Sequence, residues 1–65
     1  MAIKISMAAA RVNAGLTQKQ LADFCGVSEG TVIKWESGER VPRADKLPVL
    51  EAAYGIPLDY VRFPF

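Results

Sequence analysis

The chain has 65 residues, 51% of them hydrophobic, with eight Lys or Arg against seven Asp or Glu for a formal charge of +1. That length accommodates one core and a single domain, 1–65, and hides only roughly 60% of the unfolded surface, which disfavours a deep catalytic cleft. With no histidine and one cysteine, Cys25, the chain cannot build a disulfide framework and is poorly equipped for metal clusters or imidazole catalysis, so neither a cofactor, a small-molecule ligand nor an enzymatic activity is expected.

Four glycines, Gly15, Gly26, Gly38 and Gly55, each follow a segment of helical composition. The chain therefore reads as all-α, with helices near 6–14, 17–25, 28–37, 46–54 and 57–61. Ser6 is the expected N-cap of the first, whose alanines let a neighbouring helix approach closely. The second has the strongest start signal. Thr17 with Gln20 three residues later makes a capping box, and Leu16 and Leu21 stand in the register of a hydrophobic staple. Leu21 and Cys25 share one face, with Ala22 and Phe24 beside them.

Ser28 caps the third helix, with Val27 and Val32 again in staple register. Val32, Trp35 and part of Ile33 turn inward, and Glu29, Gly30, Thr31 and Lys34 make the other face. Beyond the 40–43 loop Asp45 is the expected N-cap of the fourth helix, where Pro48 is tolerable in the first turn because no intrahelical donor is lost there. Pro57 opens the fifth helix, ahead of the tail Phe63, Pro64 and Phe65. The apolar stretch 7–10 is far too short for a membrane span or a signal-peptide core, and the lone thiol fits a reducing compartment, so a cytoplasmic protein without membrane association is expected.

The second and third helices, joined through Gly26 with Ser28 as cap, form a candidate helix-turn-helix at 17–37. Ala22 is small where the helices cross, Gly26 turns the chain, and Val32 and Trp35 bury the third helix. An ordered series of motifs runs from about 5 to 61: Arg11, Gly15-Leu16-Thr17-Gln18 and Leu21-Ala22. It continues through Gly26-Val27-Ser28, Trp35-Glu36-Ser37-Gly38, Val41-Pro42 and Tyr54-Gly55-Ile56-Pro57-Leu58. On these residues the sequence resembles the DNA-binding domains of the phage repressor, Cro and xenobiotic-response-element regulator family. The resemblance implies a compact five-helix, lambda-repressor-like domain that binds double-stranded operator DNA sequence-specifically. A small phage-like transcriptional repressor, bacterial and nucleoid-associated, is the function expected.

On that resemblance the third helix enters the major groove, and Ser28, Glu29, Thr31 and Lys34 are the expected base contacts. Gln18, Lys19, Arg40 and Arg43 are the expected phosphate contacts, with Lys4 a lesser candidate. Glu29 has two readings: an acceptor for cytosine N4, or an acidic residue that stabilises the helix macrodipole. Gly30 reads nothing by side chain and suits close backbone approach. Family members pair an arginine and a glutamate where Arg11 and Glu36 stand, implying an inter-helix ion pair. They also bind as twofold homodimers on half-sites roughly 34–36 Å apart. Val41, Pro42, Leu58, Val61 and Phe63 are the residues expected at that interface, unless Phe63 and Phe65 fold back over the first helix instead. The rival function is a protein-interaction adaptor or antitoxin-like module on the same fold, favoured by the near-neutral charge and by Glu29.

Overall fold

The computed structural model describes residues 3–65. The element order is β1 (Ile5–Ser6), α1 (Met7–Asn13), α2 (Gln18–Cys25), α3 (Glu29–Ser37), α4 (Leu47–Tyr54) and β2 (Val61–Arg62), with single 3-10 turns at Ala44–Lys46 and Leu58–Tyr60. Ser6 does two things: it ends β1 and caps α1, its hydroxyl accepting the Ala9 N–H at 3.0 Å. At the start of α2 both arms of the capping box are made, Gln20 N–H to the Thr17 hydroxyl at 3.0 Å and Thr17 N–H to Gln20 Oε1 at 2.9 Å. Ser28 accepts the Thr31 N–H at 3.2 Å to open α3. Gly26 leaves α2 in the left-handed conformation, φ 71°, which brings the chain round within two residues to the next cap.

Met7 and Ala10 of α1, Leu21, Ala22 and Cys25 of α2, Val32 and Trp35 of α3, Leu50 and Tyr54 of α4 and Val61 of β2 form one buried cluster. Every one is 5% exposed or less, so all four helices and the C-terminal strand contribute to a single core. Leu21 is fully buried and Ala22 lies at 1% exposure, where a larger side chain has no room. Phe24, a quarter turn round α2 from this stripe, is 54% exposed and does not share the inward face. Among the described residues no helix is long and apolar enough to cross a membrane.

The C-terminal end departs from the five-helix expectation: among the described residues there are four α-helices and a small strand pair. After one 3-10 turn the chain extends, and Val61 and Arg62 pair in parallel with Ile5 and Ser6. A segment of five residues is too short to stabilise an α-helix by itself, β-branched Val61 favours extended backbone, and Pro64 disfavours helix at Phe63. The start of α4 is also corrected. Residues 44–46 tighten into a 3-10 turn, no side chain caps α4, and Asp45 faces Arg43 at 3.7 Å with both side chains exposed. Pro48 stands at the helix entrance as anticipated, where it removes no ladder hydrogen bond.

Lys46 ties that turn to α2. Its Nζ donates to the Cys25 carbonyl at 2.9 Å, placing a cation at a helix C-terminus that the macrodipole makes negative. Burial pushes the Cys25 thiol above its ordinary pKa, with nearby Lys46 acting in the opposite direction. The tail closes against α3. An added Cβ on Gly38, the φ 83° residue ending α3, would stand only 2.8 Å from the Pro64 carbonyl oxygen. Phe63 packs on the core while its ring meets that of Phe65, centroids 5.3 Å apart.

Candidate nucleic-acid interface

α3 is held from the inside by Val32 and Trp35, at 0% and 3% exposure. Successive helical residues turn by about 100°, so the direction opposite these anchors falls on Gly30 and Ser37, with Ile33 on one flank and Lys34 on the other. Glu29 lies farther round on the Ile33 side, and Thr31 lies at the opposite edge. Ser28, Glu29, Gly30, Ile33, Lys34 and Ser37 are all exposed, which leaves a convex face that no described part of the chain covers. The weak amphipathicity of α3 has a specific source: Ile33, expected partly inward, is 46% exposed on the polar side.

The expected base contacts occupy unequal places on this face. Lys34 and Glu29 project from it. Ser28 and Thr31 are bound to each other, hydroxyl to hydroxyl at 3.0 Å, and Thr31 is half-buried. Thr31 also lines a groove of about 260 Å³ between the turn, α3 and the following loop, together with Val27, Trp35, Arg40, Arg43 and Lys46. It therefore stands nearer the two arginines than the centre of the helix face. Ile33, read from the sequence as partly inward and not as a contact residue, also stands on this face. The signal available was its place one helical turn beyond Glu29 and three residues beyond Gly30, on a face whose other members are polar or bare.

A polar cluster braces α3 from its other side. Arg11 Nε donates to Glu36 Oε2 at 2.8 Å, its Nη1 donates to the Leu16 carbonyl at 2.9 Å, and the side chains of the pair are only 13% and 8% exposed. Gln18 joins it, Nε2 donating to Glu36 Oε1 at 3.1 Å. One Gln18 amide hydrogen is thus engaged and the other remains for an outside acceptor. The backbone N–H groups of Gln18 and Lys19, in the first turn of α2, have no intrahelical partner either. α1, the entrance of α2 and the end of α3 meet in this one cluster. Beside it Tyr54 is 95% buried, since 5% of its surface is exposed, and its hydroxyl has no hydrogen-bond partner among the described residues. Burial, then the charges of Glu36 and Cys25, push its pKa upward, against a smaller opposing effect of Arg11.

Lys19, Arg40 and Arg43 are exposed, the two arginines lining the groove beside Thr31 and Lys19 standing in the first turn of α2. Lys19, Lys34 and Arg40 form no ion pair among the described residues, and Arg43 makes only the loose exposed contact with Asp45. The residues expected at a dimer interface differ in accessibility. Val61 is 2% exposed and belongs to the strand pair, where its side chain completes the core, and Pro42 is buried in the loop after α3. Neither side chain is presented to a partner. Val41 is 62% exposed, whereas Leu58 and Phe63 are half-buried against the core.

Two short helices joined by a left-handed glycine, the second anchored by two inward side chains and bare on its outer face, make a helix-turn-helix unit. The chain belongs to the phage repressor and Cro type of helix-turn-helix family, whose model matches residues 7–61. The family is one of DNA-binding domains, not of enzymes, and this chain is a DNA-binding regulator domain in that general sense. No curated protein and no solved structure matches the chain.

Proposed function

We propose that this protein is a sequence-specific transcriptional repressor of phage-like type, acting in the bacterial cytoplasm on operator DNA, with α3 seated in the major groove. The observation that carries the reading is the free convex face of α3, with unpaired Lys34 on it, Arg40 and Arg43 along the groove at its edge, and Lys19 exposed in the first turn of α2. Lys34 donates to guanine O6 or N7, the commonest specific contact in that groove. Glu29 accepts from cytosine N4 and repels misplaced phosphates, so its charge contributes discrimination more than affinity. Ser28 and Thr31, engaged with one another, work at the groove edge.

Phosphates are held on both sides of the helix. Arg40 and Arg43 bind along the loop after α3, while Lys19, the free Gln18 amide hydrogen and the first N–H groups of α2 bind at the other side. The Arg11–Glu36 pair fixes α3 relative to Gln18 and so sets the spacing between the base and phosphate contacts. A twofold homodimer on DNA uses exposed Val41 with the outer edges of Leu58 and Phe63.

The test is selection of bound fragments from random duplex DNA, followed by gel shift with wild type and Lys34→Ala. A recovered consensus, with binding weakened about tenfold or more by Lys34→Ala, supports the reading; each good base contact contributes about 1–3 kcal/mol of discrimination. Recovery of no consensus, or retardation unchanged by the substitution, favours the protein-interaction adaptor instead.

A further inference from the structure

We infer that Ile33 is a specificity residue that packs against the 5-methyl group of a thymine, beside a stretch of bare backbone supplied by Gly30. This rests on the DNA-binding reading of α3 and assigns the chemistry of one contact within it.

Two observations are unexplained by the fold itself. Ile33 is 46% exposed and is absent from both the buried cluster and the half-buried side chains packed on it. A branched apolar side chain there adds nothing to the core and leaves hydrocarbon in water. Gly30 weakens the helix it occupies, yet nothing inside the protein requires glycine. Its φ is not positive, and an added Cβ would meet only the Ser28 hydroxyl, at 3.9 Å. Whatever makes glycine useful at this position therefore lies outside the chain.

The two residues stand three apart, on neighbouring positions of the exposed face. Together they form a step, with backbone accessible at Gly30 and a rigid apolar wall at Ile33, whose β-branched side chain has little rotamer freedom to lose in a helix. Such a step complements a small apolar projection at close range. In the major groove the base-pair edges present donors and acceptors, and the projecting methyl is that of thymine. Any other edge pressed against Ile33 would surrender a hydrogen bond to water without replacement. Lys34, on the far flank of Gly30, reaches a guanine at the same time, so the face reads one methyl and one acceptor pair in each half-site.

The experiment uses the selected operator and replaces its thymines one at a time with deoxyuridine, which removes the methyl and keeps base pairing; affinity is read by fluorescence anisotropy. One replacement per half-site is expected to weaken wild-type binding about fourfold, the effect of exposing one methyl. Ile33→Ser, which removes the contact from both half-sites of the dimer, binds the unmodified operator more weakly by about the square of that factor and is indifferent to uracil at that position. Gly30→Ala raises the thermal midpoint while weakening operator binding. The inference is overturned if Ile33→Ser, folded by circular dichroism, keeps both wild-type affinity and the wild-type uracil profile. It is also overturned if no thymine methyl affects wild-type binding. Failure to recover any operator removes the DNA-binding reading together with this one, whereas a bound operator with an unchanged uracil profile removes this one alone.

Discussion

Tyr54 and the Arg11–Glu36 pair show how differently two buried polar features stabilise this small core. The Tyr54 hydroxyl is buried without a partner, so Tyr54→Phe removes a desolvated group while retaining the ring. Stability at neutral pH, measured by urea denaturation, is expected to be unchanged or higher by about 1 kcal/mol. The pKa of Tyr54 is raised in the folded state, so the fold binds this proton more tightly than the unfolded chain does. Its contribution is complete below the unfolded value near 10 and is lost as pH rises beyond it. Wild type should therefore lose stability more steeply than Tyr54→Phe above that pH, and parallel curves would contradict this account. Arg11 and Glu36 behave in the opposite way. Removing one partner leaves a charge at about one-tenth exposure, and Arg11→Ala should cost about 3–5 kcal/mol in denaturation. Replacing both, as Arg11→Met with Glu36→Leu, should cost less than either single change, because no charge is then left unpaired.

At the level of elements, caps and turns were legible in the sequence because each depends on residues within a few positions of one another. Thr17 with Gln20, Ser28 and Gly26 act locally, and the hydrogen bonds they make follow from spacing alone. The strand pair was not legible. Its two halves lie 56 residues apart, from Ile5 to Val61, and neither has the length to announce a strand. Pro57 and Leu58 opened a helical turn as their composition suggests, but extension at Val61 is decided by pairing with the far end of the chain. Separation along the chain also hid the role of Gly38, whose neighbour Pro64 lies far beyond it in sequence. At Gly26 an added Cβ meets nothing within 4 Å, so Gly26→Ala should cost about 1–2 kcal/mol from the left-handed backbone alone. Gly38→Ala adds the collision with Pro64 and should cost more by thermal denaturation. Truncation before Pro64 should bring its penalty down to that of Gly26→Ala, and an unchanged penalty would show that the tail does not press on α3. Ile33, read as partly inward, is 46% exposed, since helical periodicity places apolar residues inward and is silent on one turned from the core.

For the whole molecule, a formal charge of +1 conceals a division of labour among the cations. Arg11 is committed to Glu36, Lys46 to a helix end and, on the proposed reading, Lys34 to a base; of the other five, Lys19, Arg40 and Arg43 are the proposed phosphate contacts. Three such contacts per subunit predict a log–log salt slope of roughly −3 for each subunit bound, and a flat salt dependence would contradict them. Twofold binding predicts two chains per operator in sedimentation, with Val41→Asp lowering that stoichiometry to one. The account's central claim is that the outer face of α3 meets DNA. It is tested most directly by amide chemical-shift mapping of the folded chain titrated with its selected operator. The largest shifts should fall within 28–37, accompanied by 17–19 and 40–43, while the amides of β2 and the C-terminal tail respond only as far as dimerisation touches them. Shifts concentrated on the tail or on the outer face of α1, with α3 silent, would contradict it.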